Sequence, residues 1–123
     1  MKIYRCPYCG NLLPVLTDGG VRPVCCGEEM ELLTANTTDG ATEKHVPVID
    51  VSDDSVTVTI GKQEHPMTGE HHIEWIVLLT DKGVHLKRLE PMDMPVAKFC
   101  IPDETAISAY AYCNLHGLWK GEI

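Results

Sequence analysis

The sequence has no long apolar run: nowhere do about 18 apolar residues follow one another, the minimum for a membrane span, and the N-terminal "MKIYRCPYCG" holds no stretch of signal-peptide length. Neither membrane insertion nor export is indicated, and the chain reads as cytoplasmic. Positive charge is scarce too, with 10 Lys and Arg against 18 Asp and Glu and a formal net charge of −8. A nucleic-acid partner requires a basic face to neutralise its phosphates, so that class is excluded. Internal repeats, low-complexity tracts and long amphipathic helical patterns are also missing, which leaves little room for helix.

What is present divides into two kinds of sequence. Residues 1–36 hold four of the six cysteines, Gly-rich turns and few large apolar groups. Such a segment cannot bury enough surface to fold unaided, and in a reducing compartment its thiols are better read as metal ligands than as disulfides. Cys6 and Cys9 form a Cys-x-x-Cys knuckle, and Cys25 with Cys26 returns after "LLPVLTDGGVRPV", which reads as a hairpin turning at Asp18-Gly19-Gly20. Four thiolates would surround one tetrahedral ion, zinc or iron. The adjacency of Cys25 and Cys26 is unusual, because neighbours in a strand point to opposite faces and both can reach one ion only through a distorted turn.

After "TANTTDGAT", a polar stretch with the composition of a linker, residues 37–123 become β-rich. Seven short runs, "HVPVIDV", "SVTVTIG", "IEWIVLLT", "GVHLKRL", "VAKFCI", "AISAYAYC" and "GLWKGEI", are separated by Gly, Pro and Asp turns, the pattern of an antiparallel sandwich. In "SVTVTI" Val56, Val58 and Ile60 share one face and Thr57 and Thr59 the other. Of six histidines, His45, His65, one of His71 and His72, and His116 fall at strand edges or turns where they can converge, whereas His85 reads as an ordinary strand residue. Cys113 adds a thiolate to that set. Four imidazoles and one thiolate suit iron with an open position better than four-coordinate structural zinc. An anionic sulfur opposite the vacancy would push electron density toward whatever binds there.

"EKHVP", "HPM", "HIEWI" and "CNLHGLWK" resemble, in order and spacing, the motifs of superoxide reductases, and the Cys-x-x-Cys with Cys-Cys resembles desulforedoxin. The combination is similar to the desulfoferrodoxin family and covers almost the whole chain. The resemblance implies a mainly β protein with a metal-stapled desulforedoxin-like domain over 1–36 and an immunoglobulin-like antiparallel β-sandwich over 37–123. It implies two mononuclear iron sites: one on Cys6, Cys9, Cys25 and Cys26, the other on His45, His65, His71, His116 and axial Cys113, where the family register takes His71 rather than His72. It further implies one-electron reduction of superoxide to hydrogen peroxide as a defence against oxidative stress, with Lys44 attracting the anion and assisting protonation and Glu43 filling the sixth position of the oxidised iron. Electrons would come from a small rubredoxin-like donor, and the assembly would be a homodimer. Backbone N–H groups of "CNLHG" are expected to bond the Cys113 sulfur. Cys100 belongs to none of these motifs and reads as a buried structural thiol. The rival readings are a non-enzymatic iron-thiolate electron carrier and a zinc-ribbon interaction module.

Overall fold

The computed structural model describes residues 1–123, which fold as two units, Met1–Thr34 and Ala35–Ile123. In the first, β1 (Ile3–Arg5) lies between β2 (Leu12–Pro14) and β5 (Glu31–Leu32), antiparallel to both. A second, minimal hairpin joins β3 (Val24–Cys25) to β4 (Glu28–Glu29). The expected hairpin across Asp18–Gly20 is not there. The Cys6–Cys9 knuckle itself turns β1 into β2, with Gly10 N–H donating to the Cys6 carbonyl at 3.0 Å and Cys6 N–H to that of Asn11 at 2.9 Å. Asp18 closes only a local turn, its carboxylate accepting from Gly20 N–H at 2.8 Å. Pro14 and Pro23 lack the N–H groups a ladder between those arms would need.

The doublet at 25 and 26 is resolved in the same hairpin. Cys25 ends β3 while Cys26 is a turn residue at φ 54°, followed by Gly27 at φ 79°. Two successive left-handed residues make the turn that matches strand twist in a two-residue hairpin, so the two side chains need not alternate. Tyr4, Cys6 and Met30, with Val15 and Cys25 packed on them, form a small core here, and Ile3 is buried as well.

The second unit contains the seven expected strands: β6 (Pro47–Ser52), β7 (Ser55–Ile60), β8 (Ile73–Thr80), β9 (Val84–Arg88), β10 (Val96–Cys100), β11 (Ala106–Cys113) and β12 (Gly117–Glu122). They form two antiparallel sheets, ordered β10-β7-β6 and β12-β11-β8-β9. Period-2 alternation sends Val56, Val58 and Ile60 inward against Ile73, Ile76 and Leu78 of β8 and Ala109, Ala111 and Cys113 of β11. This apolar core is the rigid frame on which the loops at one end are held.

Three local expectations change. "EKHVP" begins not in a strand but in a single helical turn, α1 (Thr42–His45), because Pro47 cannot prolong a helix and starts β6 instead. The stretch from Thr34 to Thr42 is no free linker: Asn36, at φ 63°, donates its backbone N–H to Leu118 O and exchanges side-chain bonds with Lys120 at 2.8 and 3.0 Å, binding this segment to β12. Cys100 is exposed rather than buried. It sits on the outward side of β10, an edge strand in which Ala97 and Phe99 take the inward positions. No helix is long and apolar enough to cross a membrane.

Candidate metal centres

The first cluster is local. The thiols of Cys6, Cys9, Cys25 and Cys26 lie within 4.8 Å of one another. Cys9 Sγ and Cys25 Sγ are 3.6 Å apart, and a metal–sulfur bond of about 2.3 Å gives a tetrahedral edge of about 3.8 Å. The four positions therefore fit one tetrahedral ion. Cys9 N–H points at Cys6 Sγ at 3.5 Å, and such donors pull the Cys6 thiol down to about 6, favouring thiolate. The crowd of sulfurs acts oppositely on Cys26, whose bonds from Cys9, Cys6 and Cys25 push it up to about 12. A single cation at the centre removes this conflict, since it stabilises all four thiolates together.

The second cluster is assembled from four segments. His45 ends α1, His65 lies in the loop after β7, His71 stands just before β8, and Cys113 ends β11 with His116 in the turn to β12. Neighbouring imidazole centroids are 4.6 Å (His45–His65), 4.7 Å (His65–His71), 5.0 Å (His71–His116) and 4.8 Å (His116–His45) apart, and the diagonal His45–His71 is 6.3 Å. Four nearly equal sides with a longer diagonal describe a square. Each side is edge-to-face, with interplanar angles of 70–81°. The Cys113 thiol lies within 4.8 Å of the ring nitrogens of His45, His65 and His71 and 3.7 Å from His116 Nδ1. It is thus close to all four rings.

Which nitrogen of each ring faces inward follows from its other bond. His45 Nδ1 is 2.7 Å from the carbonyl of Ala41 and His65 Nδ1 is 2.6 Å from that of Pro66, so each of these nitrogens carries the proton and donates it. Both Nε2 atoms are then bare lone pairs, yet they stand 3.1 Å apart. His45 Nε2 is also 3.1 Å from His116 Nδ1. Two lone pairs at that distance repel unless a cation lies between them; with metal–imidazole bonds of about 2.1 Å, nitrogens at right angles about one ion are about 3.0 Å apart. His71 Nε2 completes the case, being buried without any hydrogen-bond partner. The donor set fits one ion held by four imidazoles and a thiolate.

Burial prepares these donors. It lowers His45 and His71 and takes His65 down to about 4, so the rings are neutral and available at neutral pH. The Cys113 thiol is pushed up, chiefly by burial, while the N–H groups of Leu115 and His116 bond the sulfur and favour its thiolate. The expected backbone donors of "CNLHG" are therefore in place.

The supporting residues were not visible in the motifs. Trp119 stacks on His45 at 4.7 Å and donates its indole N–H to the His116 carbonyl at 3.0 Å, bracing two corners of the square. Asn114 accepts from His72 N–H at 2.9 Å and donates to the Glu70 carbonyl at 2.9 Å, pinning the peptide on both sides of His71. Its place between Cys113 and His116 was the only available signal. His72 itself is half-buried. His85, read as ordinary, pairs with Glu104 at 3.1 Å on β9, away from the square.

The remaining charged residues are disposed differently. Lys44 is exposed on α1, and its charge acts on both His45 and His71. Glu43, on the same turn, is not among the gathered ligand atoms; it lines an outer groove of about 580 Å³ with Lys62 and Glu122. Lys120 is engaged elsewhere, 2.9 Å from Glu122 and over the Tyr110 ring.

Two family models match the chain, the desulfoferrodoxin model over residues 37–122 and the desulfoferrodoxin N-terminal domain model over residues 1–33. The chain belongs to the desulfoferrodoxin family. Desulfoferrodoxin of Nitratidesulfovibrio vulgaris is 50% identical over 121 residues, covering 98% of this chain and 95% of the relative. The superoxide reductase of Thermococcus kodakarensis is 36% identical over 108 residues, covering 73% of this chain and 94% of that protein. Among solved structures, the superoxide reductase from Treponema pallidum superposes with a TM-score of 0.82 at 35% identity, over 99% of this chain and all of that one. Both units of the desulfoferrodoxin architecture are thus present in one chain.

Proposed function

We propose that the protein is a superoxide reductase that reduces superoxide to hydrogen peroxide at the square of His45, His65, His71 and His116 with Cys113. The observation that carries this reading is the set of bare nitrogens facing one point with a buried thiol beside it. A ferrous ion held there would supply the single electron, and two protons complete hydrogen peroxide, with no dioxygen formed. Iron is also the ion of the Cys6, Cys9, Cys25 and Cys26 site.

The chain's own groups do the rest. The Ala41 and Pro66 carbonyls hold the His45 and His65 rings in the tautomers that bare Nε2. Leu115 and His116 N–H groups temper the charge on Cys113 sulfur, and so would set how much electron density the thiolate gives to an iron held there. Lys44 solves a problem of sign: the substrate is an anion and the protein's net charge is −8, so a local cation must draw superoxide in and help protonate the product. Glu43, which here lines the outer groove, is the carboxylate we assign to bind the metal once it is oxidised. The division of labour is one desulforedoxin-like domain over 1–34 and one catalytic sandwich over 35–123, two residues earlier than the boundary expected from the sequence.

A small rubredoxin-like protein is the electron donor we assign. A homodimer is supported by the first unit, whose core is small while Tyr8, Leu16, Val21 and Val24 are 65–84% exposed; a second copy would cover them. Six free cysteines suit the reducing cytoplasm. The test is pulse radiolysis of the iron-loaded, reduced protein, together with metal analysis and the visible spectrum. One superoxide consumed per catalytic iron oxidised, without dioxygen, is the expected result. A protein that passes electrons but leaves superoxide untouched would be an electron carrier, and a colourless, zinc-filled one an interaction module.

A further inference from the structure

The segment after β7 makes an unusually close approach to the turn that bears Lys44. Gly61 has φ +81°, and a Cβ built on it would stand 2.6 Å from both the carbonyl carbon and the oxygen of Lys44 and 2.5 Å from Gln63 O. Real Cβ atoms do not come so near to backbone, and neither partner is a flexible side chain that can move aside. Two hydrogen bonds bracket the contact: Gly61 N–H donates to Val46 O at 3.1 Å, and Gln63 N–H donates to Glu43 O at 2.9 Å. The carbonyls on either side of the Lys44–His45 pair are thus held by one tight turn. α1 is a single turn with no side-chain N-cap bond; its His45 is anchored by the Ala41 carbonyl and Trp119, whereas the exposed Lys44 relies on the backbone.

We infer that Gly61 is a positioning residue, which, through the backbone clamp of residues 61–63, sets where the Lys44 ammonium stands relative to the square. Any side chain at 61 would lever the Lys44 carbonyl outward, and the lysine would move with it. The inference deepens the assignment of Lys44 as the local cation and rests on it. Ordinary turn chemistry requires glycine at many left-handed positions, but it does not place such a turn against the peptide that joins a steering cation to a metal ligand.

Three variants of the iron-loaded protein separate the possibilities: Gly61→Ala, Gly61→Asn and the double variant Gly61→Ala/Lys44→Ala. Asparagine tolerates left-handed φ yet still brings a Cβ, so a clash predicts that both single variants lose the same activity, whereas backbone strain alone predicts that asparagine is spared. The expected result is a bimolecular rate with superoxide lowered about tenfold in both, with a shallower dependence on ionic strength. Because Gly61 acts through Lys44, the double variant should react no more slowly than Lys44→Ala alone. Unchanged rate and salt slope, spared asparagine, or losses that multiply in the double variant would each overturn the inference. Single-residue hydrogen exchange supplies a readout independent of turnover: the Gly61 and Gln63 amides should be protected in the unaltered protein and exchange faster in Gly61→Ala. Should Lys44→Ala itself leave the rate unchanged, the steering assignment fails, and exchange alone decides the clamp, with equal exchange in both proteins refuting it. If Gly61→Ala does not fold, the same measurement on the unaltered protein serves, and unprotected Gly61 and Gln63 amides would refute the clamp.

Discussion

The two metal centres are built on opposite principles. In the first unit the ligands lie between residues 6 and 26, delivered by two tight turns, and the apolar core is Tyr4, Cys6 and Met30. Cys6, one of the four gathered thiols, is itself part of that core. In the second unit the gathered imidazoles and thiol run from residue 45 to residue 116 and are positioned by a sandwich whose core draws on β7, β8, β10 and β11. The first site makes its fold; the second is made by its fold. Local spacing suffices for a tetrahedral thiolate site, whereas a square of imidazoles with a thiolate needs a frame that exists before the metal arrives.

Removing metal is the sharpest way to break this comparison, and it carries the largest expected effect. Chelation should unfold residues 1–34, with complete loss of their hydrogen-exchange protection, while the strands of 35–123 stay protected. Equal protection in both units after metal removal would show that the first core suffices without its ion. Cys9→Ser reaches the same end selectively: the first site's visible absorption disappears, and reduction of superoxide with a direct chemical reductant persists. Loss of both together would refute the division between the sites.

Cys113→Ser comes next. Losing the thiolate should remove the sulfur-to-iron absorption of the second site and slow superoxide reduction by at least about 100-fold, with the strand content unchanged because the sandwich does not depend on the ion. A variant that kept its absorption band would exclude Cys113 as a ligand. A smaller effect is expected for Trp119→Phe, which keeps a ring beside His45 but loses the indole bond to the His116 carbonyl. Iron affinity of the second site should fall by about tenfold, measured by competition with a chelator, and the first site should be untouched.

The smallest effect sharpens the contrast from the other side, since part of the second unit is tied by charge rather than metal. Glu104 is held below the usual carboxylate range first by the Thr80 hydroxyl at 2.6 Å and then by His85 at 3.1 Å. A carboxyl lowered in the folded state stabilises at pH above its unfolded value and loses that contribution as pH falls through the lowered folded value. Glu104→Gln should therefore flatten the acid limb of the sandwich's thermal stability and leave superoxide reduction at neutral pH as it was. An identical acid limb in the variant would remove this pair from the stability of the fold.

The amino-acid sequence by itself marked the two-part organisation, the seven strands and the cysteines and histidines that the structure gathers, because those depend on spacing. Cys-x-x-Cys, alternating Val and Thr in "SVTVTI", and histidines flanked by Pro and Gly all report short-range geometry. The tertiary structure alone decided what depends on partners distant in the chain. Pairing β2 with β1 rather than β3, and exposing Cys100, followed from which edges and faces other strands cover. The segment around Asn36 became part of the second unit because Leu118 and Lys120, far along the chain, offer it a strand edge. Trp119 and Asn114 brace the square, and Gly61 meets Lys44, through contacts that no local pattern encodes: each needs two segments brought together by the burial of an apolar core that neither contains alone.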